Sequence, residues 1–130
     1  MDIVIDTSAL LAVIVAEPER DRIVELTSGH SLIGPGSIPW EIGNAFSAML
    51  RQRRLGLTDA QKGLEIFHAI PLRLVRTDLN NAISLAHQTK AYAYDAYFLD
   101  CAVRHAAPLL TLDRGLGRAA LKMGIKLLEV

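Results

Sequence analysis

The sequence holds a single cysteine, Cys101, so no internal disulfide can form. Its place in an apolar stretch fits a small buried side chain rather than a nucleophile, and a reducing, cytoplasmic compartment fits better than a stapled secreted scaffold. An excess of charge of either sign is also missing. Lys and Arg together number 14 and Asp and Glu together number 14, so any contact with nucleic acid has to come from local clustering of charge. Aromatic residues are few, with one Trp, three Tyr and three Phe, which leaves little for stacking on single strands. Trp40 and Tyr92 are the candidates for ligand contact, and both equally fit ordinary packing. No apolar run reaches the roughly 18 residues of a membrane span. The start, MDIVIDTSALLAVIVAEPERD, is interrupted by Asp2 and Asp6 and has no basic leader region, which points to a soluble, unprocessed chain. His30, His68, His87 and His105 are scattered singly, which excludes a Cys/His zinc cluster and leaves them as surface or packing residues.

What is present is an apolar, evenly patterned chain. With 130 residues and 51% hydrophobic content, residues 1–130 can bury a core as one domain without staples. Ile3-Val4-Ile5 is short, β-branched and apolar on both faces, as a central parallel strand covered on both sides would be. Similar runs at 31–33, 72–75, 108–112 and 126–130 bring the predicted strands to five. Helical signals fill the intervals: Ser8 to Ala16, Pro18 to Leu26, Pro39 to Arg54, Asp59 to His68 after a Thr58 cap, Asp78 to Thr89 after a Thr77 cap, Tyr94 to His105, and Arg114 to Met123. Each crossover is long enough to return the chain in parallel. The expected architecture is therefore an α/β protein, a three-layer α/β/α sandwich around a five-stranded parallel sheet. Internal repeats and long linkers are absent, and Gly34-Pro35-Gly36 reads as a turn.

In open parallel sheets, sites form beyond the carboxyl ends of the strands. Asp6 follows the first strand, Asp113 follows the run that ends at Leu112, Asp95 lies in the first turn of the helix leading into that run, and Glu41 opens the long helix after the second strand. Four carboxylates from distant parts of the chain can thus converge on one edge. Two full charges about 4 Å apart repel by roughly 4 kcal/mol at an effective dielectric near 20, so convergence calls for a compensating cation. Hard oxygen donors select Mg²⁺ or Mn²⁺. Such an ion lowers the pKa of a bound water and neutralises charge building on a phosphodiester, which is nuclease chemistry. Each acid alone also has a plain structural reading: Asp6 and Asp113 can cap the helices that follow them, and Asp95 can favour a helix N-terminus. Asn44, three residues after Glu41, shares its helix face and can hydrogen-bond that carboxylate or a nearby water.

The segments Asp6-Thr7-Ser8, Glu41-Ile42-Gly43-Asn44-Ala45, Tyr94-Asp95-Ala96-Tyr97-Phe98-Leu99 and Leu110-Thr111-Leu112-Asp113 resemble, in order and spacing, the acidic motifs of PIN-domain nucleases, and among them the VapC toxins of toxin–antitoxin pairs. The resemblance covers essentially the whole chain. It implies a parallel five-stranded sheet, Mg²⁺- or Mn²⁺-dependent cleavage of RNA, homodimers, and inhibition by a VapB-type antitoxin lying in the active-site groove. It also implies metal-coordinating acids at Asp6, Glu41, Asp95 and Asp113, with Thr7, Ser8 and Thr111 as polar neighbours. Asp100 departs from the pattern, standing where many relatives have a small apolar residue. It lies about 140° around the helix from Asp95, so it is expected to face solvent or a partner.

Arg114, Arg118 and Lys122 recur every fourth residue after Asp113 and form a basic stripe that can guide an RNA backbone, or simply a solvated helix face. Arg51-Gln52-Arg53-Arg54 can bind RNA too, but cations at a helix C-terminus followed by Gly56 are explained by the dipole and the cap alone. The first helix is apolar nearly all round, so a partner subunit or deep burial has to cover it. Other enzyme and binding classes fit less well. A phosphohydrolase of the haloacid-dehalogenase kind needs a second Asp two residues after Asp6, where Ser8 stands. A phosphoacceptor receiver domain needs an Asp ending its third strand, where Val75-Arg76-Thr77 stands. A catalytically inactive PIN scaffold that binds RNA or protein is the remaining alternative, and the intact set of four acids speaks against it.

Overall fold

The computed structural model describes residues 1–130. Strand β1 (Asp2–Ile5) is followed by α1 (Thr7–Ile14) and α2 (Arg20–Thr27), then β2 (Ser31–Pro35), α3 (Ile38–Arg51), α4 (Leu57–Ala69) and β3 (Leu72–Val75). The chain continues through α5 (Leu79–Thr89), α6 (Ala93–Arg104), β4 (Leu109–Leu110) and α7 (Arg114–Lys122). All strand pairs are parallel, and the spatial order is β3-β2-β1-β4. β1 sits inside the sheet because Ile3, Val4 and Ile5 are apolar on both faces and are fully buried. β3 is an edge, with Arg73 and Leu74 both exposed and an ion pair of 3.3 Å from Arg73 to Asp2.

The sheet has four strands rather than the five expected. The 126–130 run lies beside β4 but makes a single bridge, Leu109 to Leu127, with hydrogen bonds from Leu109 N to Lys126 O and from Leu128 N to Leu109 O. The ladder cannot extend because β4 itself stops after Leu110. Beyond it, the N–H of Leu112 donates to Ser8 Oγ at 3.0 Å and that of Asp113 to Thr111 Oγ1 at 2.9 Å. The backbone there serves side chains of the carboxyl-end cluster, not a neighbouring strand.

Helices pack in two groups. α1 meets α2, α3 and α4, whereas α6 meets β1, β2, α5 and α7. No residue of α1 is fully exposed, and the apolar first helix is largely covered within the chain, with Leu11 and Val13 half-buried. Gly63 on α4 permits this packing, since a Cβ there would meet the Phe46 ring of α3 at 2.5 Å. Helix starts shift slightly from expectation. α4 begins at Leu57 behind Gly56, and α5 is capped by Asp78 itself, whose Oδ1 accepts from Asn81 N at 3.1 Å. No helix is long and apolar enough to cross a membrane.

Candidate active site

Asp6 ends β1 and begins α1, and the geometry of its carboxylate follows from that position. Oδ1 caps α1 by accepting from Ala9 N at 3.0 Å and also accepts from Ser8 Oγ at 2.7 Å. Oδ2 accepts from Thr111 Oγ1 at 2.5 Å. Ser8 and Thr111 are themselves 3.4 Å apart. A side-chain lattice thus ties the end of β1 to the end of β4. Asp113 caps α7, with Oδ1 accepting from Leu116 N at 3.1 Å. The capping roles of Asp6 and Asp113 are real, and they fix each carboxyl group while leaving lone pairs free for a further partner.

Glu41, in the first turn of α3, is held from both sides. Thr7 Oγ1 donates to Oε1 at 3.1 Å and Ser37 Oγ donates to Oε2 at 2.6 Å. Ser37 was not singled out from sequence, although it precedes Glu41 by four residues and so shares its helix face. Asn44 makes no hydrogen bond to Glu41, which accepts from the two hydroxyls, and lines a cavity of about 590 Å³ together with Thr7, Trp40, Glu41, Ala45 and Tyr94. Of the expected contact aromatics, Trp40 borders this cavity and Tyr92 lies exposed in the adjoining loop. Tyr94, the other wall, was missed; its signal was its position directly before Asp95.

Electrostatics link the four acids. Burial, and next the charge of Asp113, push the Asp6 carboxyl above its ordinary value against the hydrogen bonds of Thr111, Ser8 and Ala9. Burial and then the charge of Asp95 raise Glu41, opposed by Ser37 and Thr7. Asp95 is raised by burial and by Asp113. The four therefore form one chain of repulsion, Asp6 to Asp113 to Asp95 to Glu41. None of them is salt-bridged to a Lys or Arg. As they stand, no three His, Cys, Asp or Glu side chains are grouped tightly enough to surround one ion, an arrangement that like charges oppose. Hard oxygen donors, partly buried and without a cation, suit a divalent ion such as Mg²⁺ or Mn²⁺.

Arg114, Arg118 and Lys122 are exposed along α7, as the sequence suggests, on the helix that Asp113 opens. Asp100 contradicts expectation. It is fully buried, accepting from Asn81 Nδ2 at 2.8 Å and Asp78 N at 3.2 Å, with Arg104 Nη1 at 3.7 Å. The apolar neighbours Phe98, Leu99, Cys101 and Ala102 carry it into the core, and α5 supplies the donors. Cys101 is buried as expected, with its thiol pushed up to about 12 chiefly by burial.

The PIN domain family model matches residues 3–122, and the chain belongs to the PIN-domain family. Its fold is shared with solved structures, VapC20 and VapBC2 among them. PAE2754 from Pyrobaculum aerophilum is 21% identical with a TM-score of 0.73, the match covering 92% of this chain and 79% of that one. VapBC2 from Rickettsia felis, solved with a DNA fragment from its promoter, is 15% identical with a TM-score of 0.68 over 98% of both chains. VapC20 from Mycobacterium tuberculosis, a toxin that cleaves the sarcin-ricin loop, is 12% identical with a TM-score of 0.63 over 90% of this chain and 94% of that one. No curated protein sequence matches the chain.

Proposed function

We propose that the chain, as a single PIN domain over residues 1–130, is a metal-dependent endoribonuclease of the VapC kind. The observation that carries this reading is the set of four carboxylates linked by repulsion from Asp6 to Asp113 to Asp95 to Glu41, none paired with a Lys or Arg, of which Asp6 and Glu41 are held by hydroxyls rather than by cations. Asp6, Asp95 and Asp113 would hold Mg²⁺ or Mn²⁺, with Glu41 as a ligand directly or through water. When bound, the ion makes hydroxide available from water near neutral pH and offsets charge on the phosphate oxygens.

The chain's own groups supply position. Thr111, Ser8 and the α1 N-terminus fix Asp6, while Thr7 and Ser37 fix Glu41. Arg114, Arg118 and Lys122 draw the RNA backbone along α7. Water attacks phosphorus in line, the bond to the 3′ oxygen breaks, and the products carry a 5′-phosphate and a 3′-hydroxyl. The protein acts in the cytoplasm as a homodimer and is neutralised by a VapB-type antitoxin that covers the carboxylate cleft. A toxin–antitoxin complex from Klebsiella pneumoniae, 15% identical with a TM-score of 0.59, supports that last assignment by likeness of fold.

The test is incubation of the purified protein with a mixed pool of structured RNAs in Mg²⁺ or Mn²⁺, against EDTA. Metal-dependent cutting leaving 5′-phosphate ends is expected. A folded, antitoxin-free protein that cuts nothing and binds RNA without metal dependence would instead be a catalytically inactive binding module.

A further inference from the structure

We propose that the cavity between Trp40 and Tyr94 seats one unpaired nucleobase of the RNA, beside the phosphate that is cut. This inference rests on the ribonuclease reading and adds where in its site a base of the RNA is held.

The placement is built from two helices. Trp40 directly precedes Glu41 on α3, and Tyr94 directly precedes Asp95 on α6, so the aromatic walls adjoin the carboxylates in sequence and in space. The cleft is open to solvent, and its volume of about 590 Å³ lies within the roughly 300–1,000 Å³ of small-ligand clefts. Trp40 is 77% exposed and Tyr94 58% exposed, so neither contributes its main apolar face to the core. Leaving a large aromatic surface in water forgoes the stabilisation of burial, and the packing of this chain gives no return for it. Tyr97 meets Tyr94 edge-on, with ring centres 5.6 Å apart and planes at 85°, and braces it from within α6.

The third element is Asn44, one helical turn beyond Trp40 and on the same wall of the cavity. Its amide carries both donors and an acceptor, the complement of a base edge. That amide is not hydrogen-bonded to Glu41, whose two oxygens accept from Thr7 and Ser37. Two π faces and one amide form a recognition set for a base: stacking that tolerates any sequence, and one polar contact that discriminates. Bases inside a duplex have both faces covered, so only an unpaired one fits. An arginine side chain would also be drawn to the rings and to Glu41, but it has only donors and leaves the Asn44 donors unmatched.

Trp40 is the chain's one tryptophan, so intrinsic emission reports from this cavity alone. Full-chain protein in Mg²⁺ is mixed by stopped flow with an unpaired oligoribonucleotide, with an abasic ribose-phosphate oligomer of equal length, and with an arginine-rich hexapeptide, and emission is read before cutting. The same oligoribonucleotide is followed for cleavage in parallel. The base-bearing RNA should quench Trp40. The abasic oligomer should leave emission unchanged and, by anisotropy of a fluorescein label on its 3′ end, bind roughly ten- to a hundredfold more weakly. By the same anisotropy, Trp40→Ala should show a similar loss of affinity, Trp40→Phe should retain binding, and Asn44→Ala should level the preference among the four bases. Equal binding of base-bearing and abasic oligomers overturns the base seat, as does quenching by the peptide but not by RNA. Cleavage without quenching overturns the seat and leaves the ribonuclease standing. Quenching by RNA without any metal-dependent cleavage overturns the ribonuclease and leaves the seat.

Discussion

Thr111 Oγ1 donates to Asp6 Oδ2 at 2.5 Å across 105 positions of sequence. This bond joins the ends of β1 and β4 and works against the burial that raises the Asp6 carboxyl. Thr111→Val removes the donor at nearly constant volume. A hydrogen bond to a charged group contributes about 1.5–3 kcal/mol, so a loss of that order in denaturant unfolding at neutral pH is expected. The acid limb of the pH–rate profile should also move to higher pH, because Asp6 then ionises less readily. An unchanged profile would show that Asp6 ionisation does not limit the reaction.

Three carboxyls, Asp6, Glu41 and Asp95, are raised above the ordinary values of 3.8 for Asp and 4.5 for Glu, each chiefly by burial. In this window the folded chain binds more protons than the unfolded one, so stability falls as pH rises. Their contribution is fully present below the unfolded values and lost as pH climbs through the folded ones. In EDTA, the melting temperature should therefore drop between mildly acidic and neutral pH, and Asp6→Asn should flatten that drop. Added Mg²⁺ should restore stability at neutral pH and do little in acid, where the ligands are protonated. Differential scanning calorimetry with and without Mg²⁺ checks both.

Asp100 is a structural residue, bound by Asn81, the Asp78 N–H and Arg104. Asp100→Ala strands these donors and should cost about 1–3 kcal/mol for each one left unsatisfied in the interior. Cleavage by the fraction that remains folded should be unchanged. Urea unfolding beside a cleavage assay separates the two, and a variant of full stability would contradict the burial of this group.

The stripe of Arg114, Arg118 and Lys122 is exposed and free of salt bridges. If each cation meets one phosphate, replacing one with Ala should lower the slope of log affinity against log salt by about 0.7 for single-stranded RNA. Affinity should fall alike for different sequences, since phosphates carry no sequence information. Fluorescence anisotropy across a salt series measures this, and an unchanged slope would leave the stripe as a solvated face.

Much of this architecture was legible in the chain because it follows from local pattern. Ile3-Val4-Ile5 marks a central strand through apolar residues on both faces, and the acids mark strand ends and first helical turns. What was not legible depended on which distant groups meet. Nothing local says that Ser8 and Thr111 would draw the backbone at 112–113 away from a ladder and leave the 126–130 run with a single bridge. Asp100 looked solvent-facing by helical angle, because the donors that make its burial tolerable come from α5. The outward face of α1 looked unpartnered because its cover comes from α2, α3 and α4, far along the chain.

The most direct measurement is RNA cleavage in Mn²⁺ by wild-type protein and by Asp6→Asn, Glu41→Gln, Asp95→Asn and Asp113→Asn, each verified as folded by circular dichroism. On the proposal that the four act on one site, each substitution alone should abolish most of the metal-dependent activity, with little further loss on combination. Full cleavage by any one of them would remove that acid from the site, and full cleavage by Asp6→Asn would contradict the carboxylate mechanism altogether.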